Sequence, residues 1–421
     1  MIRFSANTFL LGVGLILLLA TSCDRRGSLA EADISHLAYI GGDGNVYVTQ
    51  TADLQAKQRL TDDAEVASEL QGLSYHRLSW SRDGWLAFAS VRRDGDMAQS
   101  KLYVLPALDG EPLVVAESDS HFVIYNYWSP KPCLTEDPCQ QMVYLIEEDD
   151  DIALRLVTIA GAQATNERVG QGWPFYSSWS PDGRSLLWRT GWIVDGAITQ
   201  YMVPSGRSEV LPLSPGGFLA PAWSPTGDGY LVVTRDGAMN KLQYIAGDTV
   251  RTITAESGSS IAFAWSPDGR QVAYMVRAQE NDPYFGPVHL YDLDSGQNQR
   301  VTDAGLRPVA FFWSPDGQQL AYLTWLPVEQ NQLNQLRVLD LTRETDRGLA
   351  LFNASPLMRF ALNSFNQYAQ SHRFWSADGR YFVYAAREGD NQDRIWVIDM
   401  RAGEYGQPVF IDEGSIGYWS W

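Results

Sequence analysis

The side chains able to do chemistry are thinly spread along this chain. The five histidines, His36, His76, His121, His289 and His372, fall at no spacing that would gather a metal, and His289 lies within an expected strand. No Gly-x-Ser-x-Gly elbow raises a nucleophilic serine, and no Gly-rich loop ending in Gly-Lys-Ser/Thr cradles a phosphate. The run Glu147-Glu148-Asp149-Asp150-Asp151 is acidic enough to attract calcium, but it sits where a hairpin turn is expected and lacks the spacing of a ligand loop, so a solvated turn is the simpler reading. Asp83, Asp182, Asp268, Asp316 and Asp378 recur at one fixed place in a turn, which makes them backbone caps rather than paired catalytic carboxylates. No catalytic, cofactor-binding or metal-binding residue is assigned, no cofactor is expected, and the chain is read as a non-enzyme.

The three cysteines carry covalent chemistry instead. Arg3, the apolar stretch Phe9 to Leu19 and the small residues Ala20-Thr21-Ser22 before Cys23 form an export signal. The segment resembles the bacterial lipobox, in which the cysteine after small residues is lipidated and becomes the new N-terminus, although Ala20 stands where leucine is commoner. Cys23 is the expected lipidation site. An ordinary signal peptide with an incidental cysteine is the alternative, and a plain membrane span is disfavoured because the apolar stretch is shorter than the ~20 residues a span needs. Residues 1–22 are thus the signal and 23–35 a polar tether, with the choice of membrane leaflet open. Cys133 and Cys139, with five residues between them in an exported chain, are expected to form a local disulfide that pins an irregular loop.

The element that organises the rest is Trp265-Ser266-Pro267-Asp268-Gly269. Apolar runs flank it (Ile261 to Ala264, and Val272 to Met275), short and rich in β-branched and aromatic residues, so they read as two strands of a hairpin. Proline presets the first corner of the turn, aspartate bonds the backbone, and glycine supplies a positive φ. Full or degenerate copies begin at Trp80, Trp128, Trp179, Trp223, Trp313 and Trp375, and the chain stops on Trp419-Ser420-Trp421. The steps run from 42 residues (Trp223 to Trp265) to 62 (Trp313 to Trp375). Such a period, with strands and turns throughout, marks a β-propeller of four-stranded blades.

The two ends indicate how the ring shuts. Leu37-Ala38-Tyr39 matches a second strand with no tryptophan turn before it, and Gly417 to Trp421 is a first strand with nothing after it. The C-terminal strand is therefore expected to complete the N-terminal blade, giving an all-β ring over residues 36–421 with eight blades, or seven if the irregular Trp128 or Trp313 unit is not a true blade. The longest departure, 342–372, contains a partly helical spacing of Leu357, Phe360, Leu362, Phe365 and Tyr368 after a Ser355-Pro356 start. It reads as a helix packed across one face of the ring, or as a docking element or lid.

Lys and Arg number 32 against 50 Asp and Glu, for a net charge of −18, which argues against nucleic acid or an anionic membrane surface as direct partner. The tryptophan turns followed by Ala-Tyr or Ala-Phe strands resemble the TolB-type (WD40-like Pro-Asp, PD40) propeller repeat over about residues 36–421. That resemblance implies an extracytoplasmic propeller used mainly as a protein-interaction platform. The α/β domain that precedes the propeller in the family's name protein has no room between Cys23 and the first strand. The same repeat occurs in the propeller halves of prolyl-oligopeptidase-like peptidases, whose hydrolase half is not expected here. The reading is a monomeric, lipid-anchored envelope propeller with a protein partner, on the extracytoplasmic face of the membrane. A sugar- or metal-binding funnel, or a hydrolase or lyase on the channel face, are the alternatives.

Overall fold

The computed structural model describes residues 34–421 apart from 69–70, 96, 134–138, 174, 193–194, 218, 258–259, 278, 280–281 and 329–330; the export signal and Cys23 lie outside the described residues. In the Trp265 unit, Ile261–Trp265 pairs antiparallel with Gln271–Val276, which pairs in turn with His289–Asp292 and Asn298–Arg300. The turn between the first two strands shows why its residues recur. Ser266 Oγ donates to Asp268 Oδ1 at 2.6 Å, the same oxygen accepts from Arg270 N at 3.1 Å, and Gln271 N donates to Ser266 Oγ at 2.9 Å. Backbone donors left over by the turn are thereby satisfied.

Equivalent Ser–Asp pairs close the turns at Ser180–Asp182, Ser314–Asp316 and Ser376–Asp378. The Trp223 copy substitutes Thr226, which hydrogen-bonds Ser224 and Asp228. Asp83 departs from the pattern: its Oδ2 accepts from Gln140 Nε2 at 2.7 Å, tying its turn to the following sheet. The turns also stack on one another. Gly269 sits at φ +72°, and a Cβ there would meet Thr226 at 3.1 Å and Pro225 at 3.5 Å, so the position needs glycine for conformation and for space.

The tryptophans join neighbouring sheets by a repeated bond. The indole N–H of Trp128 donates to Ser79 O, Trp179 to Tyr127 O, Trp265 to Ala222 O, Trp375 to Phe312 O and Trp80 to Tyr418 O, all at 3.0–3.2 Å. Each acceptor is the residue just before the tryptophan of the adjacent turn. In these five the polar atom is satisfied between sheets, whereas the buried indole nitrogens of Trp223, Trp313 and Trp419 have no such partner.

The described strands form seven hydrogen-bonded sheets, not the eight blades expected: seven, the alternative count, is what the structure has. Two units merge because one strand serves both. Val409–Trp419 pairs along its first half with Asp393–Asp399 (Val397 opposite Val409, Arg394 opposite Glu413). Its second half pairs with His36–Gly41 (Ile40 opposite Ile416, Leu37 opposite Trp419), so the C-terminal strand does meet the N-terminal segment. The result is a six-stranded sheet that includes both ends of the described chain. Gly414 marks the crossover, where a Cβ would lie 2.4 Å from Ile40 O and 2.9 Å from Ile395.

Candidate functional site

Within 342–372, residues Thr345–Phe352 are the outer strand of a sheet, and two short helices follow, α1 (Pro356–Asn363) and α2 (Phe365–Ser371). Ser355 caps α1, its Oγ accepting from Met358 N at 3.1 Å with Pro356 in the first turn. Met358, Ala361, Leu362, Phe365 and Tyr368 are buried, whereas Phe360 is exposed. The helices do not lie across a face. Their side chains reach the innermost strands on all sides, so they occupy the central channel as a plug.

The polar contacts explain how a plug can be stable there. An innermost strand has an open edge toward the channel, with backbone groups that need partners. Gln367, 3% exposed, supplies both kinds: its Oε1 accepts from Ser177 N at 3.0 Å, and its Nε2 donates to Ser177 O and Tyr125 Oη, each at 2.9 Å. Gln370 accepts from Ser178 Oγ at 2.7 Å and donates to Pro221 O at 3.1 Å. His372 Nε2–H donates to Leu78 O at 2.9 Å, which leaves Nδ1 facing the Ser371 hydroxyl at 2.7 Å. Burial drives the His372 pKa down to about 3, so the ring is neutral and committed to the plug. Apolar contacts complete it: Phe365 lies 4.9 Å from Phe311, and His372 4.4 Å from Tyr418, centroid to centroid.

Plugging divides the channel into two mouths. The far mouth is a cavity of about 190 Å³ lined by His76, Arg77, Arg93, Phe122 and Phe360. Burial first, then the charges of Arg77 and Arg93, lower the His76 pKa to about 3. Arg77 lies 5.6 Å over Phe360 and Arg93 5.9 Å over Phe122.

The turn-side mouth is larger, about 380 Å³. The third residue of most tryptophan turns lines it: Pro130, Pro181, Pro225, Pro267 and Pro315. Three turns carry something else at that place, Ala377 in the Trp375 copy among them. Arg82 stands there in the Trp80 copy and Trp421 in the Trp419 copy, and both line the cavity. Trp421 is held by its indole N–H, which donates to Trp80 O at 2.8 Å. Arg82 and Arg373 both lie over the Trp421 ring, at 4.9 and 4.6 Å from its centroid. Burial, then the nearby Arg82 charge, lower the Arg373 pKa to about 10, which still leaves it charged at neutral pH. No aspartate or glutamate side chain lines it.

Other residues singled out from the sequence lie away from these mouths. Cys133 and Cys139 stand as a disulfide with Cα atoms 5.4 Å apart. Asp149 and Asp150 form the tip of the hairpin between Cys139–Glu148 and Asp151–Ala160, with φ of 51° and 62°. Glu148 pairs with Arg155, and Asp149 with Arg168 at 3.2 Å. Among the described residues no cluster of His, Cys, Asp and Glu could hold a metal ion. Sequence reasoning passed over Arg82, Trp421, Arg373, Gln367 and Gln370. For the first two a signal existed: a repeat that keeps proline at one position in five copies has a large cationic or aromatic side chain there in two others.

These features define a β-propeller whose channel is filled by its own helical insertion. No protein-family model matches the chain, and a search of curated proteins finds no match. Among solved structures it is similar to a prolyl endopeptidase, at 13% identity and TM-score 0.54 over 83% of this chain and 50% of that one. It is also similar to TolB from Acinetobacter baumannii (17% identity, TM-score 0.43, 78% of this chain and 81% of that one). A third is an oligogalacturonate lyase in complex with manganese (14% identity, TM-score 0.49, 81% and 85%). At these identities the likeness is one of fold.

Proposed function

We propose that the chain is an exported, lipid-anchored propeller that acts at the cell envelope as a non-catalytic platform for a protein partner. In this reading residues 1–22 are the signal, Cys23 bears the lipid on the extracytoplasmic face, 23–35 are the tether and 36–421 the propeller. The observation that carries the proposal is the turn-side mouth. It is a concave, proline- and tryptophan-rimmed surface whose floor is the plug, and whose only histidine, His372, is neutral and bonded to Leu78. Such a surface offers shape and apolar area for a partner rather than an acid and base for a reaction. The tryptophan-turn repeat and its resemblance to the TolB type support the same reading, as does the export segment. No helix among the described residues is long and apolar enough to cross a membrane.

The test is capture of the acylated protein from its native membrane, with Cys23→Ala as the untethered control. A specific, stoichiometric protein partner supports the platform. Recovery without acyl groups removes the anchor, and absence of any partner removes the platform. The mouth's volume also falls in the small-molecule range. Binding of a sugar or metal ion without a protein partner would shift the assignment to a ligand sensor.

A further inference from the structure

The far mouth is walled by a distorted strand. Among the described residues Arg77, at φ +60°, is the one strand residue other than glycine in the left-handed region. His76 stands opposite Ala89 and Ser79 opposite Ala87, so Arg77 and Leu78 together face Phe88 and form a bulge. A regular strand sends neighbouring side chains to opposite faces, yet His76, Arg77 and Leu78 all line this cavity. Asn126 of the next sheet fastens the bulge: its Nδ2 donates to Arg77 O at 2.7 Å, and its Oδ1 accepts from the Ser79 hydroxyl. The floor gives a second, independent sign. Tyr418 is only 4% exposed and lines the cavity, but its hydroxyl has no hydrogen-bond partner among the described residues. Burial holds its pKa well above the usual tyrosine value, so the proton stays in place and the hydroxyl can donate.

From this we infer that the far mouth binds a small acid built on a single aromatic ring, its carboxylate between Arg77 and the Tyr418 hydroxyl and its ring against Phe360. Size sets the ring: the cavity of about 190 Å³ is little larger than the ~150 Å³ that houses one benzene molecule in an apolar protein interior. The walls suit a flat face, because Phe360 and Phe122 line it and the rings of Tyr368 and Tyr125 lie behind. The polar groups set the charge. Arg77 and Arg93 carry donors only, the Asn126 amide is spent on the bulge, and no Asp or Glu side chain lines the cavity. A carboxylate accepts from a guanidinium and a phenol at once. A sugar of equal size would bring hydroxyl donors that need acceptors, which these side chains do not supply. This mouth is opposite the one read as the platform, and neither assignment depends on the other.

The test is calorimetric titration of the full-length protein in detergent with benzoate and 4-hydroxybenzoate, beside benzamide, acetate and glucuronate. The two aromatic acids should bind. Benzamide, which has the ring without the charge, and acetate, which has the charge without the ring, should bind at least about tenfold more weakly, and so should glucuronate. Two variants place the ligand. Arg77→Asn removes the charge but keeps a residue type that accepts the left-handed conformation, and it should weaken benzoate by about tenfold or more. Should that variant fail to fold, Tyr418→Phe serves alone: it keeps the ring, removes a hydroxyl that bonds nothing in the described protein, and should weaken benzoate by about tenfold or more while leaving the melting temperature unchanged or raised. No binding of either aromatic acid at about 1 mM overturns the inference, as does equal binding of benzamide, acetate or glucuronate. Full benzoate affinity in Tyr418→Phe also overturns it, because the acid then sits elsewhere. A lowered melting temperature in Tyr418→Phe does so too, because the hydroxyl is then engaged within the protein.

Discussion

Substituting Gln367 tests whether the helical insertion is a structural plug. Gln367→Leu keeps nearly the same volume but leaves Ser177 N–H and Ser177 O, both bonded by the amide at 3.0 and 2.9 Å, without a partner in a buried place. Each orphaned backbone group costs about 1–3 kcal/mol, so the variant should lose about 2–6 kcal/mol. That is a large part of the ~5–15 kcal/mol that holds a domain together. Gln367→Glu separates hydrogen bonding from shape. Protonated, the new acid can accept from Ser177 N and donate to Ser177 O; ionised, it faces that carbonyl as an anion in a dry site. Its folded pKa should therefore rise above the unfolded value of about 4.3. A raised folded pKa means stability that is full below the unfolded value and lost as pH rises toward the folded one, at up to about 1.4 kcal/mol per pH unit. Urea unfolding between pH 4 and 7, followed by tryptophan fluorescence, reads this directly. Gln367→Glu should match wild type near pH 4 and fall away above it, whereas Gln367→Leu should be low at every pH. If Gln367→Leu unfolds within about 0.5 kcal/mol of wild type, the amide does not anchor the insertion, and the reasoning fails.

Three other perturbations have defined outcomes. His76 and His372 have pKa values lowered to about 3 by burial, so the stability they contribute is present above the unfolded value of about 6.5 and lost as pH falls toward 3. Acid unfolding should show a slope approaching about 2.7 kcal/mol per pH unit from these two rings, and His372→Gln should remove about half of it. Gly414→Ala places a methyl 2.4 Å from Ile40 O and should cost about 1–3 kcal/mol, visible as a lowered urea midpoint; an unchanged midpoint would show that the crossover tolerates bulk. Asp268→Ala removes the acceptor shared by Ser266 Oγ and Arg270 N and should cost about 1 kcal/mol, while Asp83→Ala acts on the contact with Gln140; a double variant, Asp83→Ala with Gln140→Ala, no less stable than Asp83→Ala alone is expected by the same denaturation assay.

The repeat made the propeller legible because each unit uses one local device, a turn whose Ser, Asp and Gly answer backbone needs within five residues. The sheet count was not legible for a related reason. A count of tryptophan turns treats each as the start of a separate sheet, and nothing local in Val409 to Trp419 says that its two halves pair with different neighbours. The plug escaped notice because its buried face is partly polar. Gln367, Gln370 and Ser371 look like solvent-facing positions on a helix, and only the open strand edges around the channel make them interior residues. Arg373 gave no signal of its own, since its meaning comes from Trp421 lying beside it.

The strand that joins both ends has a consequence for how the protein is made. Leu37 cannot find Trp419 until some 380 residues of intervening chain have emerged, and bringing ends so far apart together costs about 5 kcal/mol of chain entropy before any bond rewards it. A polypeptide delivered from its N-terminus must therefore wait for the last stretch with one edge of its opening strand unpaired, the other being held by Val46–Gln50, and that edge is exposed to adhesion and to proteases. Maturation of this protein is thus an all-or-nothing event timed by the arrival of its tail, and a truncation of even a dozen residues there should leave fragments to be degraded instead of a smaller working ring.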